Sequence, residues 1–275
     1  MSASPVPLVT LVRAKATAII SFNNPPRGYL NRAQVGELSS ILDDIEQDDS
    51  VRSIVFTGAV PGVFIRHYDV NEILDAVAAV KASGHDRAGL MEAGKRGNPI
   101  SALFDRVDAF PKPTIAAING FCQGGGFEFA LCCDIRIAEA GDYQIGLPET
   151  NIGIFPGAGG TQRLPRAIGE AQALELILRG RTLSPDEAAS KGLVHFHVTS
   201  PALEYALQIA DELNAKSPQA LAAAKVLVKG ANQRPLVEGC ATERGVFSSL
   251  LAESDDAISM MSAFLENGED INNLP

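Results

Sequence analysis

Short runs of β-branched and apolar residues alternate with longer stretches at helical spacing through the first half of the chain. Residues 8–12 and 16–22 are short and rich in β-branched residues, which predicts a hairpin of two strands. The breaker "NPPRG" follows. Asn31 then stands where a helix cap belongs, ahead of Val35, Leu38, Leu42 and Ile45 on one helical face. "SIVFTG" reads as a buried strand ended by glycine, and residues 70–80 and 87–109 read as two helices around the polar "ASGHDR". "KPTIAAING" is a further buried strand, with Pro113 at its start where a missing N–H is tolerated. "DIRIAEAGDYQIGLPE" reads as two short strands and a turn. Beyond residue 159 the pattern is almost wholly helical, with amphipathic segments at 171–179, 184–190, 201–215, 218–229, 236–251 and 255–266. Strands alternating with helices, then a helical run, predict an α/β core over residues 1–200 and a helical region over 201–275. No linker rich in Pro, Gly or Ser divides them, so the two parts are expected to form one continuous unit.

Composition narrows the possible functions. With 275 residues, 46% of them hydrophobic and 20% charged, the chain is an ordinary globular one that buries a substantial core. A net charge of −10 opposes binding to nucleic acid or an anionic membrane, while leaving room for a local basic pocket. Cys122, Cys132, Cys133 and Cys240 form no C-x-x-C pair and read as small buried hydrophobes in a reducing compartment. The first residues show no signal-peptide pattern, and no apolar run approaches the roughly 20 residues that span a bilayer. A soluble, cytoplasmic protein is expected.

The chemistry concentrates in "NGFCQGGGFEFALCCD", residues 119–134. A glycine run between a strand and a helix lets backbone N–H groups approach an anion at the positive end of the helix dipole. It serves equally well to pack a helix closely on a strand. It is neither a dinucleotide fingerprint nor a P-loop. Glu128 lies in a segment that is otherwise apolar on every side, where an ionised carboxylate is costly unless paired, hydrogen-bonded or neutralised. Such an acid points to function, with a structural ion pair as the alternative. A second acid, Glu149, lies in "LPETNIGIFPGAGGTQRLPR", where the ordinary reading is a helix N-terminal carboxylate. The sequence does not bring these two together across 21 positions. If joined, two carboxyls and an N–H anion site suit proton transfer beside a carbonyl that becomes an oxyanion. His195 and His197 alternate in "GLVHFHV" without a third ligand, so no metal site is expected. Tyr205 is expected to pack and Arg163 to lie at the surface.

"KPTIAAINGFCQGGGFEFALCCDIRIA", "LPETNIGIFPGAGGTQRLPRAIG" and "ILRGRTLSPDEAASKGLVHFHV" together resemble the crotonase (enoyl-CoA hydratase/isomerase) superfamily. The looser matches "NPPRGYLNRAQVGEL" and "SIVFTGAVPGVFIRHYDVNEI" extend the resemblance over nearly the whole chain. It implies a crotonase-type α/β spiral of repeated ββα units with a helical C-terminal trimerisation region. It also implies a homotrimer or homohexamer, and an acyl-CoA thioester substrate with no cofactor beyond the coenzyme A it carries. By position, the amides of Gly125 and Tyr68 resemble the oxyanion donors. Glu128 resembles the glutamate that activates water, and Glu149 the one that exchanges a proton at the α-carbon. The substrate-binding residues implied are Arg27, Tyr29, Arg66, His67, Gly124, Pro148 and Gly157. Both glutamates together favour a hydratase. An isomerase, a hydratase/lyase acting on an aromatic acyl-CoA, and a non-catalytic binding or scaffold relative are the alternatives.

The chain departs from the family pattern in its oxyanion loop, Ile65-Arg66-His67-Tyr68-Asp69, where relatives carry small residues. His67 and Tyr68 are expected to narrow the acyl pocket, touch the acyl group or alter the donor geometry, unless they turn outward. Asn71 replaces a lysine near the CoA phosphates, and the terminal "AFLENGEDINNLP" is acidic, leaving Arg27 or Arg66 to meet the phosphates. Phe247 and Phe264 are expected either to close a neighbouring subunit's pocket or to pack in the core or trimer.

Overall fold

A computed structural model of the chain describes residues 7–266. The predicted hairpin forms β1 (Val9–Ala14) and β2 (Thr17–Phe22), antiparallel from Val9 opposite Phe22 to Ala14 opposite Thr17, with Lys15 left-handed at its turn. Three strand pairs follow. β3 (Ser53–Gly58) leads directly into β4 (Val63–Ile65), β5 (Thr114–Ile118) into β6 (Phe121–Gln123), and β7 (Ile135–Glu139) into β8 (Ile145–Gly146). Two short strands, β9 (Thr182–Leu183) and β10 (Phe196–Val198), come later. The first member of each pair extends the hairpin into a six-stranded sheet of order β1-β2-β3-β5-β7-β10; the second members form a four-stranded sheet of order β4-β6-β8-β9. Each turn of the chain thus lays one strand in each sheet and then a helical segment, which is the expected spiral of ββα units.

The helices are α1 (Arg32–Glu46), α2 (Val70–Ala82), α3 (Arg87–Lys95), α4 (Pro99–Ala109), α5 (Gly125–Cys132) and α6 (Gly160–Ile168). After them come α7 (Glu170–Leu178), α8 (Pro185–Ser190), α9 (Ala202–Asn214), α10 (Pro218–Gly230), α11 (Leu236–Glu253) and α12 (Asp255–Glu266). Asn31 caps α1 as predicted, its Oδ1 accepting from Gln34 N at 2.9 Å. The helix expected over 87–109 is two helices. Gly97 turns left-handed and Asn98 caps a fresh start, with Pro99 at the first helical position where its missing N–H costs nothing. Beyond residue 159 the chain departs from the helical expectation where β9 and β10 return to the two sheets, while α6 is a helix outside the segments marked as amphipathic.

The central strands are buried on both faces, as a parallel sheet covered on both sides requires. One face meets Leu38, Leu42 and Ile45 of α1, Phe104 of α4 and Phe129 of α5. Phe129 is met edge-on by Phe22, Phe56 and Phe104 at 5.2, 5.0 and 5.5 Å. The opposite face carries Val55, Ile115, Ala117 and Ile137 against Ala202, Ala206 and Ala210 of α9. These alanines repeat every four residues, so a single smooth stripe lets α9 lie close to the sheet. The helical region expected from residue 201 therefore opens with a helix that covers the core sheet. On α11, Leu236, Val237 and Phe247 are exposed, while Phe264 on α12 is half-buried. Most of the acidic terminal segment, residues 267–275, lies outside the described residues.

All four cysteines are free, and Cys122, Cys132 and Cys133 are buried. Among the described residues, no helix is long and apolar enough to cross a membrane.

Candidate active site

The site is assembled where β4, β6 and the N-terminus of α5 converge, and the three glycines have three different tasks. Gly124 turns the chain with φ of 51°, and a Cβ there would lie 3.4 Å from Glu149 Oε1 and 3.6 Å from His67 Cβ. At Gly125 a Cβ would lie 3.3 Å from Tyr68 N, filling the space between the two backbones. At Gly126 it would lie 2.0 Å from the carbonyl oxygen of Ile65, an impossible overlap. Gly126 seats α5 against the end of β4, Gly125 bares an amide beside that of Tyr68, and Gly124 leaves room for Glu149. Neither the Gly125 nor the Tyr68 N–H donates to a protein acceptor. Gly125 is the first residue of its helix, so its amide has no partner within the helix and lies at the dipole's positive end.

Glu128 lies one turn further on and is 4% exposed. Its Oε1 accepts from the amides of Ala158 and Gly160, both at 2.8 Å, in the loop that opens α6. Burial raises the Glu128 carboxyl above its ordinary value, and those two amides and the Arg163 charge pull it back. Arg163 is not the surface residue expected from the sequence. Its Nη1 donates to Ala158 O at 3.1 Å, its Nη2 pairs with Asp105 at 2.7 Å and its Nε with Asp108 at 3.3 Å. Lys229 of α10 in turn holds Asp108 at 2.6 Å. Arg163 thus braces, from α4, the loop that grips Glu128. No local pattern marks this role, because its acidic partners lie 55 or more positions away.

Glu149 begins a single 3-10 turn after Pro148. Both carboxyl oxygens are buried and accept no hydrogen bond from another residue. Burial, and after it the charge of Glu128, pushes Glu149 up to about 7. The two carboxyls therefore differ in kind. One is gripped by amides that favour its charge; the other has little to favour charge and is readily protonated near neutrality. Two carboxyls in such different surroundings suit different steps of a proton transfer.

Both acids line one cavity of about 430 Å3 together with His67, Tyr68, Gly124, Gly125, Pro148 and Gly157. The structure thus gathers eight of the predicted site residues. Arg27, Tyr29 and Arg66 do not line the cavity. Tyr29 stacks on the His67 ring at 4.3 Å, Arg27 donates to Tyr29 Oη at 3.2 Å, and Arg66 donates to Arg27 O at 3.1 Å. They form an outer layer next to the site. Much of the remaining wall, undetected from sequence, comes from Val70 and Ile73 of α2, Asn98, Ile100 and Phe104 at and within α4, and Asn151, Ile152, Ile154 and Phe155. Helical periodicity marks Ile100 and Phe104 only as apolar positions.

The two histidines separate. His195 Nδ1 accepts from the Arg136 amide at 3.0 Å, and burial followed by the Arg136 charge pushes it down to about 4. His197 faces Asp186 at 3.6 Å. Among the described residues, no group of three or more His, Cys, Asp and Glu is arranged to hold a metal.

An anion site of two free amides, next to one carboxyl gripped by amides and one without a hydrogen-bond partner, can polarise a carbonyl and move protons at the carbons beside it. The enoyl-CoA hydratase/isomerase family profile matches residues 13–271. A probable enoyl-CoA hydratase of Bacillus subtilis is 38% identical over 260 residues, covering 94% of this chain and 95% of its own. The 2,3-dehydroadipyl-CoA hydratase of Escherichia coli is 36% identical over 256 residues, covering 92% and 94%. The crystal structure of an enoyl-CoA hydratase from Bacillus anthracis superposes with a TM-score of 0.82 at 33% identity, covering 95% of this chain and 97% of that one. The chain belongs to the enoyl-CoA hydratase/isomerase family of enzymes, which act on acyl-CoA thioesters.

Proposed function

We propose that this enzyme adds water across the 2,3-double bond of an acyl-CoA thioester. The observation that carries this reading is the pair of buried carboxyls, one held by two amides and one without a hydrogen-bond partner, on one cavity with two free amides. The Gly125 and Tyr68 amides receive the thioester oxygen and draw electrons from the β-carbon. Glu128, its Oε1 held by Ala158 and Gly160, turns its other oxygen to a water and takes a proton as the water oxygen bonds to the β-carbon. The electron pair of the double bond moves into an enolate held at the two amides. Protonated Glu149 then gives its proton to the α-carbon. Passage of the water-derived proton from Glu128 to Glu149 restores the starting state.

The cavity wall favours a neutral acyl group, since Val70, Ile73, Ile100, Phe104, Ile152 and Ile154 line it and no Lys or Arg does. Arg27 and Arg66, adjoining basic groups on a chain of net charge −10, are the groups proposed to meet the CoA phosphates. Assembly as a homotrimer or homohexamer is proposed to cover the exposed apolar residues of α11. A second reading, cleavage of a hydrated aromatic acyl-CoA, draws on the Tyr29–His67 ring stack, whose His67 lines the cavity.

Incubation with short and medium 2-enoyl-CoAs should bleach the conjugated thioester absorbance. Glu128→Gln and Glu149→Gln should each lower kcat by about 10²–10⁴-fold, the usual worth of a positioned acid or base. A wild-type rate no greater than that of the double variant would overturn the proposal. Product mass separates the outcomes, because hydration adds water, isomerisation preserves mass and cleavage divides the acyl group.

A further inference from the structure

We infer that the two bulky side chains of the oxyanion loop are positioning residues: the Tyr68 phenol and the His67 imidazole hold the Tyr68 amide in place, Tyr68 through a clasp to Glu72 and the start of α1. The inference rests on the proposed role of that amide as a donor to the thioester oxygen.

Nearly every hydrogen-bonding group around this amide is occupied. The carbonyl of the same peptide unit, His67 O, accepts from Leu30 N at 2.9 Å. In the next unit, Asp69 N donates to Leu30 O at 2.8 Å, and Tyr68 O meets His67 Nδ1 at 2.7 Å. That contact makes Nδ1–H the donor, and the ring is steadied from its face by Tyr29 at 4.3 Å. The phenol hydroxyl of Tyr68 donates to Glu72 Oε2. Both Glu72 oxygens accept from Arg32 N, at 3.0 and 3.3 Å. Arg32 is the first residue of α1, so Glu72 satisfies an amide left without a partner at a helix start, where a carboxylate is favoured. Burial and Glu72 hold the phenol far above its ordinary value, which keeps it a donor.

Of the backbone groups in these two peptide units, only the Tyr68 N–H is left without a partner. With small residues at both 67 and 68, this backbone would be tied to Leu30 alone. This chain adds a side-chain tie from the loop across α2 to α1, so Tyr68 serves less to narrow the cavity than to stiffen its rim. Oxyanion donors act by being fixed before the reaction begins, and a misplacement of about 1 Å costs on the order of 10²-fold in rate.

Tyr68→Phe removes only the hydroxyl, Glu72→Ala removes the acceptor, and Glu72→Gln keeps an acceptor for both Tyr68 and Arg32. Amide hydrogen exchange of the free enzyme reads the clasp without substrate. Exchange at Asp69 should quicken in Tyr68→Phe and Glu72→Ala and stay near wild type in Glu72→Gln. In turnover of 2-enoyl-CoA, kcat should fall about tenfold in the first two variants with KM little changed, and the double variant should be no worse than either single one. Unchanged exchange in Tyr68→Phe and Glu72→Ala would overturn the clasp. Faster exchange with full kcat would overturn its link to the donor amide. A wild-type enzyme that turns over no acyl-CoA, yet whose exchange responds as described, would refute the hydratase reading and leave the clasp standing.

Discussion

Replacing Glu149 with Gln should abolish proton exchange and at the same time make the protein more stable at neutral and alkaline pH. The carboxyl shifts from an ordinary 4.5 to about 7 on folding, chiefly through burial. The folded chain therefore binds this proton more tightly than the unfolded chain, and stability falls as pH rises between those two values. Below the window both states are protonated and the acid behaves like the neutral amide. Above it, the folded protein carries a buried, unpartnered charge. Linkage gives a penalty below about 1 kcal/mol at pH 5, rising to about 3 kcal/mol at pH 8. Glu149→Gln removes that penalty. Urea unfolding followed by circular dichroism, at fixed protomer concentration to hold any assembly constant, would measure the gap at both pH values. The variant should gain on wild type as pH rises, with unchanged slope against denaturant. A gap of equal size at pH 5 and pH 8, or a variant less stable at pH 8, would refute the reasoning. The same titration predicts that the wild-type hydration rate falls as pH climbs through about 7, because the proton donor is lost.

Substitutions at four further positions probe the scaffold. Gly126→Ala drives a methyl to within 2.0 Å of Ile65 O, so α5 must shift and carry the Gly125 amide and Glu128 with it; kcat should fall by about 10²-fold or more in steady-state assays. Gly36→Ala in α1, with nothing within 4 Å, should instead raise stability by about 0.5–1 kcal/mol in the same urea titration. Arg163→Met frees the Ala158 carbonyl and leaves Asp105 and Asp108 without their shared partner. It should cost about 1–3 kcal/mol of stability and lower kcat, and Arg163→Lys should not restore the rate because only the fork reaches all three acceptors. Phe129→Ala empties the centre of the aromatic cluster, and should cost about 3–5 kcal/mol by denaturant unfolding.

Much of this protein can be read along the chain. The hairpin, the Asn31 cap, the buried strands and the apolar faces of α1 and α9 follow from periodicity, because burial on one side imposes a local repeat. The glycine run and Glu128 are legible too. A helix that starts on glycine and buries an acid contradicts its own apolar setting, and such a conflict marks a site. The Gly97-Asn98-Pro99 break was also present in the sequence as a turn and cap, although the longer apolar pattern obscured it.

Other features exist only once the sheets are ordered. Glu149 comes near Glu128 because β6 and β8 are neighbours in the smaller sheet, although a 21-residue excursion through the larger sheet separates the two acids in sequence. Arg163 reads as one more polar residue on a helix until α4 and α10 supply Asp105, Asp108 and Lys229 around it. The cavity wall from α2 and α4, and the clasp from Tyr68 through Glu72 to Arg32, likewise join segments whose spacing carries no period. Sequence alone determined the elements and the odd acid, because those depend on neighbours three or four residues away. Tertiary structure decided the partner acid, its brace and the rim of the site, because these depend on which strand lies beside which.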